Sequence, residues 1–109
     1  MAAVLNTAEF YVHNEDMLRG GLAKHRSAPS AEAAEILWQA LSGLVRVKKD
    51  MVADLGNVQL RNAKTGAIIT IPNHHAMQDT VVSGPAGEVL LYFYGRRKAA
   101  KVSVTKAEL

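Results

Sequence analysis

The sequence has no cysteine. This excludes disulfides, thiolate metal sites and cysteine nucleophiles, and it suits a reducing compartment. Long apolar runs are also missing: none approaches the roughly 20 residues of a membrane span. The first ten residues, M-A-A-V-L-N-T-A-E-F, lack the basic lead and long apolar segment of a secretory signal. There is no internal repeat and no low-complexity tract. No serine sits in a G-x-S-x-G context. S-G-P-A-G at residues 83–87 lacks the G-K-[ST] of a phosphate loop and reads as a turn with no helix after it. These absences lead us to expect a soluble, cytoplasmic protein with no membrane partner and no cofactor.

What is present is an ordinary globular composition. Of 109 residues, 49% are hydrophobic and 21% charged, enough for one domain spanning residues 1–109 with a modest core. The net charge of +3 is unevenly placed. Residues 1–57 carry six Lys/Arg against seven Asp/Glu, and residues 58–109 carry seven against three. The excess positive charge therefore belongs to the second half.

The stretch at residues 88–104 dominates the pattern. E-V-L-L-Y-F-Y leads into G-R-R-K-A-A-K, and V-S-V follows. The first seven residues are of strand-forming type and apolar on both alternating faces, which predicts a strand buried on both sides. With the return run it predicts a hairpin whose tip carries Arg96, Arg97, Lys98 and Lys101.

Upstream, Ser30 reads as the N-cap of the strongest helix. Ile36, Leu37, Ala40, Leu41, Leu44 and Val45 form an apolar stripe. Met51, Val52 and Leu55 continue it, and Gly56-Asn57 supplies a stop. A helix over about 31–55 follows, with Gly43 or Val45–Val47 as the weakest point. Residues 58–71 read as a hairpin turning at Asn62–Gly66. Residues 73–80 have no clear period, and Val81-Val82 reads as a short or edge strand. Residues 1–13 form an arm or an edge strand at Glu9–Val12, Asn14 starts a short helix, residues 25–30 are a linker, and residues 105–109 are a frayed tail. The fold class is α+β, with a helical N-terminal half on an antiparallel sheet from the C-terminal half.

Three function classes follow. The first is a non-enzymatic binding or assembly module that self-associates through its sheet or long helix. Trp38, Leu90, Tyr92 and Tyr94 would form the partner surface, because such residues anchor interfaces and a doubly apolar strand needs cover. The second is a nucleic-acid or acidic-protein binder using Arg96, Arg97, Lys98 and Lys101, with the two tyrosines stacking nearby and Arg46, Lys48 and Lys49 extending the patch. The third is a small enzyme or metal protein built on His74 and His75. Adjacent residues rarely share one metal, and a third ligand such as His13, His25 or Asp79 would be required.

Overall fold

The structure, a computed structural model, describes residues 9–15 and 30–108. The class is α+β, as the sequence predicts. Helix comes first, and a four-stranded sheet follows. Residues 9–15 are helical (α1) rather than extended, and Val12 enters the core. The Tyr11 hydroxyl donates to Glu15 Oε1 one turn on, at 3.1 Å. The helix expected to begin at Asn14 is thus already under way there; residues 16–29, on which the rest of that expectation and all of the 25–30 linker but Ser30 fall, lie outside the described residues.

Helix α2 (Ala31–Lys48) starts where the cap predicts, with Ser30 Oγ accepting from the Ala33 amide at 3.1 Å. Of the expected stripe, Leu37, Ala40, Leu41, Leu44 and Val45 are buried but Ile36 is 58% exposed, and Trp38, from outside the stripe, is buried with them. At Lys48 (φ −125°, ψ 33°) α geometry ends, and a 3-10 segment, η1 (Lys49–Leu55), carries the chain on with Val52 and Leu55 buried. The break lies just past the β-branched run. Gly56 closes η1 at φ 78°.

The sheet order is β2-β1-β3-β4. Strands β1 (Asn57–Asn62) and β2 (Ile68–Ile71) form the expected hairpin, pairing Val58 with Ile71 and Leu60 with Ile69. Asn62 builds its turn: its Oδ1 accepts from Lys64 and Thr65, its carbonyl accepts from Gly66, and Gly66 has φ 80°. β3 (Gln78–Gly84) lies parallel to β1, with Val58 beside Thr80 and Leu60 beside Val82. The sheet is therefore mixed rather than antiparallel, and Val81-Val82 sits in an inner strand. β4 (Ser103–Glu108) pairs antiparallel with β3 at the far edge, so the expected frayed tail is strand through Glu108.

The largest correction concerns residues 88–94. Residues 88–93 lie in helix α3 (Ala86–Phe93) with Tyr94 as its C-cap, not in a strand, and residues 88–104 are not a hairpin. All eight residues are buried. A helix enclosed on every side has no solvent-facing polar stripe, and here Glu88 is its one charged residue. Its ends are nevertheless marked. Pro85 precedes it, and Gly95 follows at φ 95°. The Arg96 amide reaches Leu91 O at 2.9 Å and the Gly95 amide reaches Tyr92 O at 3.2 Å, a Schellman closure.

α3 packs between α2 and the β1–β3 pair. Phe93, Leu41, Leu44, Leu60, Leu90 and Val82 meet there in one cluster. Each large side chain so buried contributes about 1.5–3 kcal/mol. The helices cover one face of the sheet. The other carries Asn57, Gln59 and Arg61 of β1 and Asp79, Val81 and Ser83 of β3, all at least partly exposed.

Candidate functional site

The four cations of the 96–101 loop have different roles. Arg97 is fastened inward. Its guanidinium donates to both oxygens of Asp54 at 2.7 and 2.8 Å and to Met51 O at 3.2 Å, and lies 5.5 Å from the Tyr92 ring centroid. The hydrogen bonds from Arg97 hold the Asp54 carboxyl below the ordinary aspartate range, against the opposing effect of desolvation, and the same contact raises Arg97. Arg97 is thus a clasp between the loop and η1, not a free cation. Arg96 donates to Tyr94 O at 3.3 Å. The Lys101 amide donates to the buried carboxylate of Glu88 at 2.8 Å, which fixes the far end of the loop while its side chain stays exposed. Lys98 is exposed.

The expected partner surface is not presented outward. Trp38, Leu90 and Tyr92 are between 0% and 6% exposed within the chain's own core. For Leu90 and Tyr92 the reason is the helical conformation of residues 86–93, which turns every side chain of that run into protein, and Trp38 lies on the core-facing side of α2. Tyr94 is half-buried. Its hydroxyl donates to Glu9 Oε1 at 2.9 Å, and Lys48 Nζ lies 5.3 Å from its ring centroid. Burial, then the bond to Glu9, pushes the phenol above its ordinary range. The ring is flanked on one face by Lys48, which places the basic end of α2 beside the 96–101 loop.

A helix does follow S-G-P-A-G, contrary to expectation, yet its N-terminus is closed. Ala86 and Gly87 are buried, and a Cβ on Gly87 would collide with the Tyr11 hydroxyl.

His74 and His75 occupy a turn held by Asn73. The Asn73 amide donates to Asn57 Oδ1 at 2.8 Å, and its Nδ2 donates to Ala53 O at 3.1 Å. Its Oδ1 accepts from the His75 amide at 2.9 Å, and its carbonyl accepts from Ala76 at 3.1 Å. These bonds set the turn over the end of η1, where a cleft of about 270 Å³ opens between them. Val52, Ile71 and Pro72 give it an apolar lining, and Lys49, Asp50, His74 and His75 stand in its wall. Among the described residues no group of three His, Asp or Glu side chains is arranged to hold a metal. His13 lies in a separate cleft with Phe10 and Tyr94, and His25 lies outside the described residues. Sequence reasoning singled out the histidines and read Asn73 as the cap of a single helical turn or the start of a loop, but it placed Lys49 in the basic patch and Gly56 only as a helix stop, and did not bring them together with the histidines. Asparagine in first position readily builds a turn with its own side chain, as it does here.

The chain matches no family model, no curated protein and no solved structure.

Proposed function

We propose that the protein is a non-enzymatic binding and assembly module of the cytoplasm that self-associates through the free edge of β2. The observation that carries this is the composition of that edge. β2 reads I-I-T-I, lies outermost in the sheet, and bears no charge, with Ile68 51% exposed. The opposite edge, β4, carries Lys106 and Glu108. Charged edge strands resist pairing with other chains, whereas an uncharged β-branched edge invites it. An antiparallel pairing of two β2 strands about a twofold axis at Thr70 sets Thr70 against Thr70 of the second copy. Ile69 then lies against Ile71 of that copy. Pairs of both kinds contribute about 0.2–1 kcal/mol. A cysteine-free chain needs no oxidising compartment to fold, and no helix among the described residues is long and apolar enough to cross a membrane.

Light scattering coupled to gel filtration tests the proposal. The dimer mass is expected at high micromolar concentration, and Thr70→Lys, which sets two like charges opposite each other, should return the monomer. A monomer mass for the unaltered protein at that concentration refutes it.

A second reading is favoured by one juxtaposition. Lys48 at the end of α2 lies against Tyr94, next to the loop that exposes Lys98 and Lys101. We propose an acidic partner, nucleic acid or an acidic protein surface, as the alternative occupant of this side. If nucleic acid binds there, Lys98→Ala with Lys101→Ala should reduce the log–log salt slope by about 2, near 0.9 for each phosphate no longer neutralised. Unchanged binding in that variant removes this reading.

A further inference from the structure

We propose that the cleft under the Asn73–His75 turn binds a small organic anion, an apolar body ending in a carboxylate. The site is a different place from the β2 edge, and the inference does not depend on self-association.

Three observations point to this ligand class. The first is the floor. Val52 and Ile71 are 1% and 4% exposed, and they border a cavity of about 270 Å³. That volume sits just under the range of drug-sized pockets, so the occupant is small. An apolar floor favours a ligand with an apolar body over a bare inorganic anion. The second is the wall. Lys49, His74 and His75 offer one fixed positive charge and two imidazoles that donate hydrogen bonds, against one acid, Asp50. Among the described residues no hydrogen bond or ion pair engages any of these four side chains. They differ in this from Arg97, whose donors are already taken. The third is preorganisation. Asn73 ties the histidine turn to both Asn57 and Ala53, and Gly56 packs its backbone against Gln78 at the foot of the cleft. A wall fixed before binding loses little freedom on binding.

The charge arrangement gives the test its sign. A carboxylate drawn to Lys49 is repelled by Asp50. Lys49→Ala should therefore weaken binding about two- to fivefold, as for a partly exposed ion pair, and Asp50→Asn should tighten it. A zwitterion would reverse the second effect. The probes are benzoate, benzylamine and inorganic phosphate, titrated into the full chain while amide shifts are followed by 1H-15N NMR. Both altered side chains are exposed, so the spectra of the variants should retain the native dispersion. Benzoate is expected to give saturable shifts at the amides of Gly56, His74 and His75, with the two variants moving the affinity in opposite directions. Saturation by benzylamine or phosphate at the same concentration as benzoate would overturn the assignment. So would weaker binding to Asp50→Asn, or benzoate shifts that never saturate at these amides.

Discussion

Replacing Gly56 by alanine should be among the most damaging single-methyl additions in this chain. Two costs combine. The backbone there has φ 78° and ψ −138°, a region essentially reserved for glycine, and holding another residue in it costs about 1–3 kcal/mol. The new Cβ would also collide with the backbone carbonyl of Gln78, which opens β3 and cannot swing aside like a side-chain tip. Overpacking of this kind costs about 1–3 kcal/mol more. The sum is about 4 kcal/mol, a large share of the 5–15 kcal/mol typical of a native domain, and lowers the melting temperature by roughly 15–30 °C. Gly66→Ala is the control. Gly66 also has a positive φ, of 80°, but a Cβ there meets nothing within 4 Å, so only the conformational cost applies. Urea unfolding, followed by the fluorescence of the single, buried Trp38, should show a much lower midpoint for Gly56→Ala at an unchanged slope. Stabilities for the two variants within about 0.5 kcal/mol of each other would refute the collision.

The Arg97 clasp should contribute modestly, because Asp54 is 61% and Arg97 33% exposed in the side chain. After solvent screening, Asp54→Asn should cost about 0.5–1 kcal/mol near neutral pH. Arg97→Ala should cost about 1–2 kcal/mol, since it also removes the bond to Met51 and the packing on Tyr92. The Asp54 carboxyl is held below the ordinary aspartate value of about 3.9 in the folded protein. Its contribution is therefore complete above that value and fades as pH falls through the lower folded value. Wild type and Asp54→Asn should converge in acid, and a gap that persists at the lowest pH where both fold would contradict this. Phe93→Ala empties the centre of the core and should cost about 3–5 kcal/mol by chemical unfolding; a cost under 1 kcal/mol would mean α3 is not packed as described.

Local chemistry with a named cause was legible in the sequence. Ser30 capped α2 where expected, and Asn62 and Gly66 made the β1–β2 turn. The apolar stripe of α2 faced the core except at its first residue, Ile36, which is 58% exposed, while Trp38, expected on the partner surface, is buried. Two elements escaped for physical reasons. After Glu88 the run to Tyr94 has no charged residue, and a short run of that kind does not by itself separate helix from strand. Its punctuation did: Pro85 before it and Gly95 after it bracket a helix of two turns. The β1–β3 pairing escaped because strand partners 22 residues apart, such as Asn57 and Asp79, leave no local mark. The basic loop was found as a composition, but the diversion of Arg97 to Asp54 depended on where η1 would end. The cleft beside His74 was half found, because the side chains that complete its wall come from η1.

The position of β4 bears on how the chain is made. Among the described residues, every fully buried large side chain lies between Leu41 and Phe93. Once residue 93 has left the ribosome, the nascent chain holds that whole set of fully buried residues. What it lacks is a neighbour for the free side of β3, where Thr80, Val81 and Val82 wait in a row. The six residues of β4, all exposed and including Lys106 and Glu108, exchange that bare row for a charged border. This strand thus adds a ladder of six backbone pairs but no buried side chain, and it ends a brief interval of stickiness during synthesis. A chain stopped after Gly95 should therefore collapse around a near-native core and still precipitate, which turbidity during cell-free translation would register. A clear solution of that truncated chain would show that β3 needs no such cover.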